Sequence, residues 1–241
     1  VPLLIVVAGT LAWAYAFTRI YTRPHSRVAA SRWMYAHIPP GKAVTAELWD
    51  DPLPLAIDDR YPFDTLAGGW YASVMTYPYA EDDPEKYTGQ IKLDGSFEPG
   101  LLDQLTQADY VVLASNRVYG SATRMPMRYP ALTRYYHTLF SGELGFDLVA
   151  DISSYPTLFG VAIPDQAAEE AFSVYDHPRV LIFQKTPRFS RALAERMITG
   201  DVAWGEVYKL TSLRASAVPT ALRLTDAEWP RYRDLASTFA E

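Results

Sequence analysis

The sequence predicts an α/β fold, a small and mostly parallel sheet with flanking helices, preceded by one N-terminal transmembrane helix. Beyond residue 43, apolar runs of strand length alternate with amphipathic segments of helix length. The first eighteen residues carry no charge. A chain of 241 residues with 49% hydrophobic and 21% charged residues can bury a core without covalent crosslinks. It contains no cysteine, which excludes disulfides, thiolate metal sites and a cysteine nucleophile.

The N-terminal segment 1–22 is predicted to cross a bilayer. At about 1.5 Å per residue, the uncharged stretch forms a helix roughly 27 Å long. A signal peptide would carry its basic residues before the apolar run, and a core helix would show a polar stripe. The first residue is Val, which leads us to expect a processed protein or part of a longer one. The residues expected at the membrane border are Trp13, Arg19, Tyr21 and Arg23.

The charge is divided between a basic neck, residues 23–42, and an acidic body. Residues 1–46 hold five basic and no acidic side chains, whereas the rest of the chain holds 17 basic and 28 acidic ones. This arrangement favours membrane lipid as a partner and argues against nucleic acid. The positive-inside rule alone would place the neck and the body in the cytoplasm.

The elements of the body follow from local patterns, and we assign an α/β domain to 43–199 and a C-terminal extension to 200–241. Strands are predicted where apolar or alternating runs end at turn residues, at 44–49, 109–114, 146–152 and 180–185. Helices are predicted from apolar periodicity and caps at 26–37, 98–107, 130–141, 188–198 and from the Thr225–Glu228 capping box to about 239. Residues 52–97 show little periodicity and read as a long structured loop. We expect the first three strands to be parallel and the fourth to be antiparallel at an edge.

Three stretches carry a family resemblance: ADYVVLASNRVYGS (108–121), RYPALTRYYHTLFSGELGFDLVADISSYPTLFG (128–160) and VYDHPRVLIFQKT (174–186). They resemble the extracytoplasmic C-terminal domain of the "YYY" multi-pass membrane proteins of green non-sulfur bacteria and archaea. Those proteins are similar to C-type glycosyltransferases that use polyprenyl-phosphate sugars. The neck and the first strand (26–55) resemble the junction between their last membrane helix and that domain.

The resemblance implies a fold and a location, but no catalytic residue. The tyrosine motif here reads Tyr135-Tyr136-His137, and the family's catalytic carboxylates lie in early loops that have no counterpart in this sequence. We therefore expect a single-pass protein with a non-catalytic binding or structural body on the periplasmic or extracellular side. Two alternatives stay open: a single-pass accessory subunit of a larger membrane protein complex, such as an energy-converting one, and a carbohydrate-active enzyme.

A ligand pocket is predicted where the three parallel strands end, because open α/β sheets bind ligands at that edge. An arginine there can hold a phosphate or carboxylate, and amide or hydroxyl groups can bind sugar hydroxyls. The alternative is that these residues only cap helices and form salt bridges. The candidates are Asp50, Asp51, Ser115, Asn116, Arg117, Ser154 and Tyr155.

Catalytic and metal motifs are missing from the sequence. It has no HExxH, GxSxG, GxGxxG or Walker pattern, its four histidines lack paired ligand spacing, and its acidic pairs do not match an EF-hand loop. We predict no metal, no cofactor and no nucleophilic catalysis.

Aromatic residues are concentrated in the loop 61–88. Such side chains suit an interface with other membrane protein subunits, and they equally suit packing against the body itself. The candidates for a partner interface are Trp70, Tyr71, Tyr77 and Tyr79.

Overall fold

A computed structural model describes residues 2–47, 50–63, 69–76 and 83–207. Its helices are α1 Pro2–Thr18, α2 Ser26–His37, α3 Pro84–Thr88, α4 Leu101–Gln107, α5 Arg117–Ala122, α6 Pro130–Ser141, α7 Glu170–Ser173 and α8 Arg191–Ile198. Its strands are β1 Ala43–Glu47, β2 Ala72–Thr76, β3 Gln90–Ile91, β4 Phe97–Glu98, β5 Tyr110–Leu113, β6 Phe146–Ile152, β7 Thr157–Leu158, β8 Val161–Ala162 and β9 Val180–Lys185. Short 3₁₀ turns lie at Arg19–Thr22 and Trp204–Glu206. The predicted last helix lies outside the described residues.

The main sheet has five strands in the order β2-β1-β5-β9-β6. β1 pairs in parallel with β2 and β5, whereas β9 is antiparallel to both β5 and β6. The α/β class is confirmed. The sheet is mixed, so the prediction of a mostly parallel sheet is not confirmed. The antiparallel strand 180–185 also lies inside the sheet and not at its edge. Residues 180–183 are all buried, as expected for a strand that has neighbours on both sides and helices on both faces.

The position of β9 still leaves four strands pointing the same way. β6 is antiparallel to β9, which is antiparallel to β5, so β6 runs in the direction of β1, β2 and β5. The carboxyl ends of these four strands therefore lie along one edge of the sheet, which we call the carboxyl edge.

Each face of the sheet is covered by helices, as the alternation of side chains along the central strands requires. Val112 and Ile182 pack with α2 on one face. Val111 and Phe183 point the other way and pack with α4, α5, α6 and α8. A bulge in β6 after Leu148 changes the face on which its later residues lie.

Several sequence predictions match the observed bounds, and one is wrong. The predicted helices 26–37 and 130–141 and the strands 146–152 and 180–185 begin and end where they were expected. Gly142, with φ of 77°, adopts the left-handed conformation that ends α6. The predicted loop 52–97 instead contains β2, α3 and the β3–β4 hairpin. β2 was missed because Ala72–Thr76 is a short edge strand with little apolar alternation.

The N-terminal helix α1 stands out from the body. Its apolar side chains are exposed over most of its length, Leu4 by 73%, and Ala16 is its one buried residue. The helical stretch Pro2–His37, which includes α1, is the one among the described residues that is long and apolar enough to cross a membrane. This criterion concerns length and composition alone.

Candidate functional site at the carboxyl edge of the sheet

The carboxyl edge brings an arginine, an aspartate and a serine into one hydrogen-bonded cluster. Arg27 Nη2 lies 2.8 Å from Asp50 Oδ1, and Ser115 Oγ donates to Asp50 Oδ2 at 2.5 Å. Arg27 Nε also donates to the Ala114 carbonyl at 3.4 Å. The side chains of Arg27 and Asp50 are only 14% and 4% exposed. Asp50 is therefore saturated by its own chain, which favours a structural role for it.

Arg27 was not among the predicted pocket residues. It lies in the first turn of α2, in the basic neck, and it reaches the edge because α2 packs on the sheet. It also approaches Asp51, whose exposed carboxylate lies 3.6 Å from Arg27 Nη1. The excess of positive charge in the neck was visible in the sequence, but its partner could be found only from the fold.

Arg117, another predicted pocket residue, is held on the same edge by α7. Its Nε lies 3.5 Å from Glu170 Oε1, and its guanidinium group stacks over the Tyr175 ring at 5.4 Å. Its backbone N–H donates to Ser115 Oγ at 3.1 Å, which links it to the Asp50 cluster. Partial burial raises the pKa of Glu170, although the Arg117 charge opposes the shift.

The remaining predicted pocket residues contribute neutral groups. Asn116 and Ser154 are buried, and neither Asn116 Oδ1 nor Ser154 Oγ has a hydrogen-bond partner among the described residues. Tyr155 is half-buried, and its carbonyl accepts a hydrogen bond from Arg23 of the neck. Buried polar atoms of this kind are rare in folded proteins.

Sequence reasoning missed a buried carboxyl group, Glu47, at the end of β1. Its side chain is buried, Tyr136 Oη donates to its Oε1 at 2.6 Å, and its Oε2 has no hydrogen-bond partner among the described residues. Burial raises the pKa of Glu47 to about 8, even though the hydrogen bond from Tyr136 lowers it. Glu47 therefore holds a proton at neutral pH and can donate a hydrogen bond.

The signal for Glu47 was present in the sequence. It is the only charged residue in VTAELW (44–49), a run predicted to be a strand. A strand with helices on both faces has no solvent side, so a charged residue inside it is either paired or neutral. Its partner, Tyr136, lies in the middle of α6, next to Tyr135 and His137 in the sequence.

The aromatic residues predicted as a partner interface divide into three groups. Tyr71 is a core residue, and its hydroxyl is shared between the carbonyls of Met34 at 3.1 Å and Ile38 at 3.0 Å. This burial removes Tyr71 from any partner-facing surface. Trp70 is half-buried, with its ring 5.4 Å from that of Tyr35. Tyr77 and Tyr79 lie outside the described residues.

The predicted membrane-border residues surround the point where α1 meets the body. Trp13, Arg19 and Tyr21 are exposed. The ring of Phe17, the next-to-last residue of α1, lies 5.4 Å from Phe172 and 5.6 Å from His177.

The histidine at this junction is part of a buried pair. His177 Nε2 lies 2.7 Å from Asp165 Oδ2, and both side chains are buried. Because Phe17 packs on this pair, the end of α1 is fixed to the body.

Comparison with known proteins adds no family to these observations. No known protein family, curated protein or solved structure matches this chain. Among the described residues, no group of three or more histidines and carboxylates is placed to hold a metal ion. The fold and the site together define an α/β domain with a polar carboxyl edge, joined to an apolar helix of membrane-spanning length.

Proposed function

We propose that this chain is a membrane-anchored domain whose body has a binding or structural role on the extracytoplasmic side of a glycosyltransferase-like membrane protein. The observation that carries this proposal is the contrast within α1. Its apolar side chains are exposed to the solvent, yet its end packs into the body through Phe17. Exposed apolar surface of this extent is unfavourable in water and favourable in lipid.

A structural role is supported by the way in which the neck is attached. Arg23 bonds the Tyr155 carbonyl, His25 Nε2 lies 3.0 Å from the Tyr175 carbonyl, and Arg27 pairs with Asp50. Three contacts within five residues hold the body in a fixed orientation to α1. A rigid connection of this kind suits a domain whose position relative to the bilayer matters.

A binding role is supported by the neutral groups of the carboxyl edge. Asp50 is paired with Arg27, and Arg117 is paired with Glu170, so these charged groups neutralise one another. Two neutral polar groups of this edge, the Asn116 amide oxygen and the Ser154 hydroxyl, are buried and have no hydrogen-bond partner among the described residues. This chemistry favours a neutral, hydroxyl-bearing ligand such as a carbohydrate over a phosphate.

A second candidate function, an accessory subunit of a larger membrane complex, is favoured by an apolar groove. A cavity of about 270 Å³ lies beside the edge strand β6, on the face that α5 and α6 cover. It is lined by Tyr119, Phe140, Leu148, Arg179, Leu181 and Phe183. In this case Leu148→Arg should abolish co-purification of partner subunits from native membranes, whereas Leu93→Arg, at an exposed site on the β3–β4 hairpin, should not.

Membrane anchoring is tested by carbonate extraction of membranes that contain the full chain. We expect the wild-type chain to stay in the pellet and Leu4→Arg/Ile5→Arg to move to the supernatant, because two charges in the apolar helix oppose insertion. Leu93→Arg is the control for added charge at an exposed apolar site on the body. Extraction of the wild-type chain by carbonate would contradict the proposal.

The side of the membrane is tested with the single-cysteine variant Leu93→Cys, which is feasible because the chain has no native cysteine. A membrane-impermeant maleimide should label it in intact spheroplasts. Val6→Cys, within the apolar helix, should remain unlabelled before and after lysis. Labelling of Leu93→Cys only after lysis would place the body in the cytoplasm.

A further inference from the structure

The β7–β8 hairpin presents an apolar turn to the solvent. Leu158 pairs with Val161, so the turn consists of Phe159 and Gly160. Phe159 is 89% exposed and Val161 is 67% exposed. The whole segment 157–163, TLFGVAI, contains no charged residue and only one polar side chain.

The conformation of this turn makes the exposed phenylalanine more unusual. Phe159 and Gly160 both have positive φ, 48° and 85°, as in the two-residue turns that suit a hairpin. Asn, Asp and Gly are the ordinary residues at such positions, because a bulky side chain is disfavoured there. A large aromatic side chain that is both exposed and in a strained conformation is an outlier that packing within the body does not explain.

The hairpin lies next to the neck and α1. Arg23, just beyond α1, donates a hydrogen bond to the carbonyl of Tyr155, two residues before β7. β7 then packs against α1 itself. The hairpin therefore lies next to both the neck and α1, and its exposed apolar residues are close to the exposed apolar helix.

We propose that the turn Phe159–Gly160 inserts into the interfacial layer of the bilayer that α1 crosses, which gives the body a second contact with lipid. This inference rests on the membrane anchoring proposed above. A phenylalanine and a valine gain by leaving water, and no charge in the hairpin opposes their insertion. The body would then be held to the membrane at two points and could not rotate freely about α1.

The β3–β4 hairpin provides a matched contrast within the same chain. Its exposed apolar residue, Leu93, lies between Lys92 and Asp94, and the hairpin lies beside β2 at the opposite edge of the sheet from β6. We expect this turn to stay in water for two reasons. Leu93 has charged neighbours, and the hairpin is far from β6, the strand that leads into β7. Leu93 is therefore the control position for an exposed apolar residue that is not at the membrane.

The test uses nitroxide labels on single cysteines in the full chain, reconstituted in phosphatidylcholine–phosphatidylglycerol vesicles. Thr10→Cys in α1, Val161→Cys in the hairpin and Leu93→Cys are labelled in turn. We expect the labels at 10 and 161 to be more accessible to oxygen than to a water-soluble nickel chelate, and the label at 93 to show the reverse. Adding Phe159→Asp to Val161→Cys should shift that label to the aqueous pattern and leave the label at 10 unchanged.

The outcomes separate the two proposals. An aqueous pattern at 161 with a lipid pattern at 10 would overturn hairpin insertion and leave the anchor intact. Aqueous patterns at both positions would overturn both proposals. Low accessibility of the label at 161 to both reagents would show that a second copy of the chain covers the hairpin, and this would also overturn insertion into lipid.

Discussion

The two faces of the sheet are covered in different ways. One face is covered by α2, which adds polar contacts to a buried apolar cluster: Arg27 with Asp50, Ser31 Oγ accepting from the Leu55 N–H at 2.8 Å, and the Tyr71 hydroxyl. The other face is covered by α4, α5, α6 and α8 around a large apolar cluster, in which Tyr136 donates a hydrogen bond to the buried Glu47. The α2 face is the one that continues into the neck and α1.

This difference separates the contacts that stabilise the fold from those that connect it to α1. The apolar side holds the fold by burial, which is not directional and tolerates small shifts. The α2 side adds hydrogen bonds and an ion pair to its apolar cluster, and these contacts fix distance and orientation. Directional contacts are what a body needs if its orientation to a membrane helix matters.

The largest effect should come from breaking the buried ion pair on the α2 side. Arg27→Met leaves the buried Asp50 carboxylate with Ser115 alone, and we expect the free energy of unfolding to fall by about 3–5 kcal/mol. Chemical denaturation of the full chain in detergent, followed by circular dichroism, measures this loss.

The control for this prediction lies on the same helix. Arg32 pairs with Asp58 at 3.2 Å, but the two side chains are 53% and 57% exposed. Arg32→Met should therefore cost less than about 1 kcal/mol. If the two substitutions cost the same, the Arg27 pair contributes no more than a surface contact and the comparison of the two faces fails.

The next effect concerns Glu47 and its pH dependence. Because the pKa of Glu47 is about 8 in the folded chain and 4.5 ordinarily, the native state keeps a proton that the unfolded chain releases between these values. The stability that Glu47 contributes should therefore be fully present below about pH 4.5. The free energy of unfolding should then fall by about 1.4 kcal/mol per pH unit as the pH rises to about 8. Glu47→Gln cannot titrate and should lose this part of the slope.

The measurement for Glu47 is a series of denaturation curves at pH 5, 6, 7 and 8. The matched control is Glu143→Gln, an exposed glutamate after α6, which should keep the slope of the wild-type chain. If the free energy of unfolding has the same pH dependence in the wild-type chain and in Glu47→Gln, Glu47 is ionised in the folded state. The face covered by α4, α5, α6 and α8 would then tolerate a buried charge.

The sequence was sufficient to predict the bounds of elements that depend on local patterns. Pro130 and Gly142 delimit α6 by backbone geometry alone, and the run 146–152 ends at turn residues. Strand order depends on partners distant in sequence, yet one clue was available. The residues of VLIF (180–183) are all apolar, as in a strand with both faces covered, whereas FDLVADI (146–152) carries two aspartates, as suits an edge.

The candidate site could be predicted only in part, for a physical reason. Parallel strand ends predicted that Asp50, Ser115 and Arg117 would lie at one edge, and the structure places them there in one connected cluster. The partners that neutralise them, Arg27 and Glu170, come from α2 and α7, whose positions no local pattern specifies. Whether a polar residue is free to bind a ligand depends on these partners.

The smallest effect should come from the Tyr71 hydroxyl, and it tests whether Tyr71 packs within the body or binds a partner. Tyr71→Phe removes the donor to the carbonyls of Met34 and Ile38 at the end of α2, and we expect a loss of about 1 kcal/mol in the free energy of unfolding. Tyr61→Phe, at an exposed ring, should leave stability unchanged. Because the ring of Tyr71 stays in place, co-purification of membrane partners should be the same for both variants and the wild-type chain. Unchanged stability of Tyr71→Phe together with weaker co-purification would show instead that the hydroxyl faces a partner, and the α2 side would then owe its order to that partner.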